Sequence, residues 1–192
     1  LMGIEIELPL RRLTWRDAMA RYGSDKPDTR FGMEIKDVSE AMRGCGFGIF
    51  ENALANGQTV CAVCARGAGR FSRKEFDALG EFVKTYHVKG LAWAVPNEDG
   101  TARGSFVKAM QGDSLQRLFA ETGCQAGDAV FVIADQRLVA LTAMGQLRLR
   151  LGRELGLIDA SRYDLLWITE FPLLSWDEEE HRFVAEHHPF TA

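Results

Sequence analysis

The sequence predicts an α/β (α+β) protein in which a compact sheet-and-helix unit interrupts a region of different build. Three observations predict it. Apolar runs at residues 60–65, 91–95 and 129–134 alternate with helical patterns, the texture of a unit with its own core. The C-terminal part instead reads as two strands around Asp177-Glu178-Glu179-Glu180, a hairpin and therefore part of an antiparallel sheet. The N-terminal part carries one short helix and a tight, charged turn.

The elements follow in order. Thr14 is a helix N-cap, with Asp17 at the third helical position. Trp15, Ala18, Met19 and Tyr22 form one apolar stripe, and Gly23 closes the helix in the left-handed conformation. Ser24-Asp25-Lys26-Pro27-Asp28 is dense in turn formers, and Pro27 drives Lys26 out of helical geometry. Val38, Ala41 and Met42 suggest a further short helix ended by Gly44 and Gly46. Ser72 and Glu75 form a capping box that opens a helix with Phe76, Leu79 and Val83 on one face. Asn97-Glu98-Asp99-Gly100 is a turn. Ser114 caps a helix carrying Leu115, Leu118 and Phe119, stopped by Gly123. Asp135 caps the longest helix, which points Met144, Leu147, Leu151 and Leu155 inward and Arg148, Arg150 and Arg153 outward, with Gly156 as its stop. A strand at 165–173 and a returning strand at 182–187 make the hairpin.

Composition narrows the function classes. The chain has 192 residues, 46% hydrophobic and 26% charged, which excludes disordered and fibrous classes and allows one or two domains. Its formal charge of -4 argues against a general electrostatic grip on nucleic acid, so any such contact is a local patch. No apolar run is long enough for a membrane span, and the opening residues lack the regions of a signal peptide. Four cysteines are too few for a disulfide scaffold, which favours a reducing, cytoplasmic setting. Both ends look cut, and the chain is expected to be part of a larger protein.

Several residues carry candidate chemistry. Cys61 and Cys64 have metal-site spacing, but on a strand they face opposite sides, and Cys45 and Cys124 stand apart; no metal is expected. The loop from Arg66 to Lys74, with Arg66, Arg70 and Arg73, joins a strand to a helix start. Backbone donors and arginines there make it a candidate RNA-backbone contact, although it lacks the P-loop pattern. His187 and His188 adjoin at a strand end and face opposite ways, so one imidazole points over the sheet and can donate to an anionic substrate. Asp177 to Glu180 at a hairpin tip are splayed and solvated. Of Thr169 and Glu170, adjacent on a strand, one faces inward and the other outward.

Four groups of residues together carry a resemblance. They are Tyr22-Gly23-Ser24-Asp25-Lys26-Pro27-Asp28-Thr29-Arg30-Phe31; Phe82-Val83-Lys84 with Lys89-Gly90-Leu91-Ala92; Gly145-Gln146-Leu147-Arg148-Leu149-Arg150-Leu151-Gly152; and Glu170-Phe171-Pro172 with His187-His188-Pro189-Phe190-Thr191. In this order the chain resembles bacterial-type aspartyl-tRNA synthetases. The resemblance implies that residues 1–35 and 135–192 are segments of a class II catalytic domain, with incomplete parts of its antiparallel sheet. It implies that 36–134 is an inserted GAD domain with a mixed sheet and helices. The implied activity is ligation of L-aspartate to tRNA(Asp) through an adenylate, using ATP and Mg²⁺, in a homodimeric parent. His187, with His188 beside it, is implied to bind the substrate aspartate. The anticodon-binding domain and the arginine-bearing ATP segments are missing, so no catalytic residue is expected in this stretch and it alone is expected to be inert. The competing implication is a GAD-type binding module of a tRNA-dependent amidotransferase subunit.

Overall fold

The computed structural model describes residues 6, 8–177 and 180–186. Its centre is a five-stranded sheet built from β2 (Lys36–Asp37), β3 (Thr59–Ala65), β4 (Ala92–Pro96), β5 (Ala102–Gly104) and β6 (Ala129–Asp135), in the order β2-β3-β6-β4-β5. Every neighbouring pair is antiparallel, so the sheet is not mixed. The reason lies in how β6 enters. The helix α3 (Arg73–Lys84) links β3 to β4 as in a βαβ crossover, but β6 slots between those two strands and runs against both.

Helices cover both faces, which is why β3 and β6 read as unbroken apolar runs. On one face Cys61, Val63, Phe131 and Ile133 pack with Phe76, Leu79 and Val83 of α3 and with Ala140, Leu141, Met144, Leu147 and Leu151 of α5 (Arg137–Glu154). On the other, Val60, Ala62, Val130 and Val132 pack with Phe50 and Leu54 of α2 (Gly48–Ala55) and Leu118 of α4 (Ser114–Thr122). Cys61 and Cys64 fall on opposite sides, as strand geometry requires.

Outside this unit, β1 (Arg11–Thr14) runs into α1 (Trp15–Tyr22), whose Thr14 cap and left-handed Gly23 stop match the sequence signals. The strand β7 (Leu166–Thr169) pairs with β1 in parallel, Thr14 opposite Thr169. The hairpin is β8 (Leu174–Asp177) with β9 (Arg182–Ala185). The expected strand at 165–173 belongs instead to a parallel pair, and it is shorter because Glu170 takes a positive φ of 58° and breaks the run before Pro172. Glu170 is exposed and Thr169 half-buried.

Other expectations change as well. The segment around Val38–Met42 is a series of turns, and the helix lies later, at α2, which opens on Gly48 with no side-chain cap to announce it. Ser114 does not cap α4; it is the first helical residue, buried, and accepts a hydrogen bond from Arg117 at 3.0 Å. Asp135 precedes the cap residue Gln136 and accepts from its N–H at 2.8 Å. The largest correction is Arg148, expected outside and in fact 1% exposed.

Candidate functional site

The turn after α1 is held by α5 through one stripe of that helix: Gly145, Arg148 and Gly152, spaced to share a face. A Cβ on Gly145 would lie 2.6 Å from the Tyr22 carbonyl oxygen, and one on Gly152 would meet the Phe31 ring at 2.7 Å. The two glycines therefore let the chain come down onto the helix. Between them, the Arg148 guanidinium donates to the carbonyl oxygens of Asp28, Phe31, Gly32 and Met33 at 2.8–3.0 Å. It also lies over the rings of Phe31 (3.9 Å) and Tyr22 (4.9 Å). Burial pulls Arg148 down to about 10, with Tyr22, Asp28 and Glu34 opposing, so it stays charged at neutral pH. A buried charge needs such a ring of acceptors, and the fixed fork of arginine reaches several at once.

Ion pairs complete the brace. Arg30 grips Asp28 through two bonds (3.0 and 2.8 Å), and Arg21 grips Glu34 the same way (3.0 and 2.6 Å). These arginine hydrogen bonds hold both carboxyls below the usual range. Thr29 donates to Asp164 at 2.8 Å, and Arg11 of β1 joins the same carboxylate at 3.1 Å, tying the turn to the approach of β7. Asp28 and Arg30 of the turn are thus paired within the protein itself.

His187 and His188 lie outside the described residues. The described chain stops just before them: β9 is followed by Glu186, whose N–H donates to the Leu173 carbonyl at 3.0 Å. Arg66, Arg70 and Arg73 are described and exposed, on the connection from β3 to α3. Three of the backbone donors on this connection are already occupied. Gly67 N–H goes to Asp128 (2.9 Å), Gly69 N–H to Gly127 (3.0 Å), and Ser72 N–H to Glu75 (2.7 Å) in the completed capping box. Arg73 has only a loose pair with Asp77 at 3.9 Å, and among the described residues Arg66 and Arg70 make no ion pair.

Among the described residues one group of potential metal ligands converges, and sequence spacing alone missed it. Cys64, Cys124 and Asp128 place their ligand atoms within 4.8 Å of one another. Cys124 does not stand apart as its spacing suggests; the antiparallel pairing of β3 with β6 brings the α4–β6 connection beside Cys64. Two thiols and one carboxylate are not a Mg²⁺ donor set. The described residues therefore do not fit the Mg²⁺ that the resemblance implies, and no step through it is derived.

Residues 50–144 match the family model of the GAD domain. The whole chain is similar to bacterial ligases. It is 52% identical to the Aspartate--tRNA(Asp/Asn) ligase of Lachnoclostridium phytofermentans, over 99% of this chain and 32% of that protein. It is 48% identical to the Aspartate--tRNA ligase of Agathobacter rectalis, over 100% of this chain and 32% of that protein. It is 50% identical to the Aspartate--tRNA(Asp/Asn) ligase of Bacillus cytotoxicus, over 98% and 32%. The chain spans about a third of the length of the curated relatives it matches.

Proposed function

From a chain that carries a GAD domain and is similar over 98–100% of its length to bacterial aspartate–tRNA ligases, we propose that it serves as the middle of such a ligase. The complete protein activates L-aspartate with ATP in the presence of Mg²⁺ and transfers it to tRNA(Asp). It works as a cytoplasmic homodimer. Residues 1–35 and 135–192 contribute to its catalytic domain, and 36–134 form the inserted domain. The single observation that carries this reading is an alignment of 52% overall identity that extends beyond residues 50–144 on both sides. An amidotransferase module would share only the inserted part. No helix among the described residues is long and apolar enough to cross a membrane.

The geometry supports a division of labour. The brace around Arg148 joins the two flanks beneath the inserted sheet, so α5 is shared: its apolar side fills that sheet's core while its Gly145–Arg148–Gly152 stripe holds the turn. The flanking strands leave Trp167, Leu173, Leu174 and Phe183 more than half exposed, the pattern of a surface that other chain covers. His187, with His188 beside it, binds the aspartate carboxylate, an imidazole being a good donor to an anion. Arg66, Arg70 and Arg73 touch the tRNA backbone.

The test is aspartate-dependent pyrophosphate exchange by the complete protein. Exchange is expected, with His187→Ala raising KM for aspartate far more than KM for ATP. The 192-residue chain alone is expected to give none. A complete protein that shows no aspartate-dependent exchange, or a His187→Ala variant with unchanged KM for aspartate, would contradict the reading.

A further inference from the structure

We propose that Cys64, Cys124 and Asp128 bind one zinc ion at the rim of the central sheet. The observations are geometric. The three ligand atoms lie within 4.8 Å of one another, and Cys64 Sγ is 3.8 Å from Asp128 Oδ2. Ligands about 2.0–2.3 Å from a tetrahedral zinc are separated by about 3.3–3.8 Å, so small side-chain rotations close the site. Each ligand is fixed by its element. Cys64 is near the end of β3, Cys124 directly follows the Gly123 stop of α4, and Asp128 directly precedes β6.

Asp128 is held as a ligating carboxylate is in a built site. Its Oδ1 accepts from Gly67 N–H at 2.9 Å and its Oδ2 from Gln125 N–H at 3.1 Å, two backbone donors that orient it and leave further lone pairs free. Gly69 has no room for a side chain, since a Cβ would sit 2.6 Å from the Gly127 carbonyl oxygen; the loop that supplies one of these donors is thereby kept against the ligand turn. Cys124 is 6% exposed and Cys64 half-buried, so the site has a closed side and an open one. Two sulfurs select a borderline-soft ion over Mg²⁺ or Ca²⁺. On binding, both thiols lose their protons to solvent, two S–Zn bonds and one O–Zn bond form, and a water on the open side takes the fourth position. No oxidation state changes.

This inference rests on the inserted unit alone and is independent of the ligase reading. The test is titration of the full chain, under reducing conditions, with Co²⁺ and then Zn²⁺. One equivalent of Co²⁺ is expected to give thiolate-to-metal absorption in the near ultraviolet and tetrahedral bands in the visible, both abolished by one equivalent of Zn²⁺. Cys64→Ala and Cys124→Ala are expected to lose the spectrum, Asp128→Asn to weaken binding by about tenfold, and Cys61→Ala, on the other face, to keep it. A parallel readout needs no variant: in the unaltered chain Zn²⁺ should slow alkylation of Cys64 and Cys124, mapped by mass spectrometry, and a chelator should reverse this. No thiolate band with Co²⁺, a spectrum that survives Cys124→Ala, or alkylation of both cysteines unaffected by Zn²⁺ would overturn the site.

Discussion

Arg148 and Phe31 meet twice. The guanidinium lies 3.9 Å from the centre of the Phe31 ring and donates to the carbonyl oxygen of the same residue at 2.8 Å. This contact joins two of the strings that carry the family resemblance. The Tyr22-to-Phe31 string and the Gly145-to-Gly152 string are the two halves of one joint, and the central sheet is built from the chain that runs between them.

Replacing Arg148 should be costly in either of two ways. Arg148→Lys keeps the charge but loses the fork, and is expected to cost about 2–3 kcal/mol; Arg148→Met removes the charge and leaves four carbonyls short of a donor, costing at least as much. Urea unfolding of each variant measures this. A loss within about 0.5 kcal/mol, the range of ordinary surface changes, would mean that the guanidinium holds nothing.

Two helical glycines should respond in opposite directions. A Cβ on Gly80 of α3 would have nothing within 4 Å of it, so Gly80→Ala is expected to stabilise by about 0.5–1 kcal/mol. Gly145→Ala meets the Tyr22 carbonyl oxygen at 2.6 Å, a backbone atom that cannot swing away, and is expected to destabilise by about 1–3 kcal/mol. Thermal melts of the two variants check the contrast.

Acid should loosen the brace. Asp28 and Glu34 have folded-state carboxyls depressed by Arg30 and Arg21. A depressed carboxyl contributes stability that is complete above its unfolded value, about 4, and is lost as pH falls through the lower folded value. Stability measured from pH 6 downward should therefore fall in that acid window, and less steeply in Glu34→Gln. The side chains are partly exposed, so the difference should shrink in high salt.

The basic connection gives a prediction about salt. If Arg66 and Arg70 contact RNA, replacing both with Ala in the complete protein should weaken tRNA binding and reduce the slope of affinity against salt by about 2. Filter binding across a range of salt concentrations measures the slope. An unchanged slope would leave the two arginines as solvated surface.

Much of this architecture is readable from local chemistry, because local chemistry sets it. Thr14, Ser72, Gly23 and Gly123 mark helix ends by hydrogen bonds and left-handed turns made within a few residues. The apolar runs of β3 and β6 show because both faces are covered. What stays hidden depends on partners distant in sequence. Arg148 looks like a surface residue until a turn more than a hundred positions earlier supplies its acceptors. The slotting of β6 between β3 and β4, and the parallel pairing of β1 with β7, leave no mark on spacing. The helix α2 lacks a capping side chain, while turns over 38–42 imitate a helical stripe. The convergence of Cys64 with Cys124 and Asp128 is likewise a product of strand pairing. The two histidines fall outside the described residues, and their role rests on the resemblance.

The joint between the early turn and α5 ties the two ends of the described chain to the central sheet, and a double-mutant cycle on Phe31→Leu and Arg148→Met tests it directly. The cycle should return a coupling of about 1 kcal/mol or more, as a desolvated cation over an aromatic ring provides. Additive losses, with a coupling within about 0.3 kcal/mol of zero, would show that the two residues stabilise the protein separately and that no such joint exists.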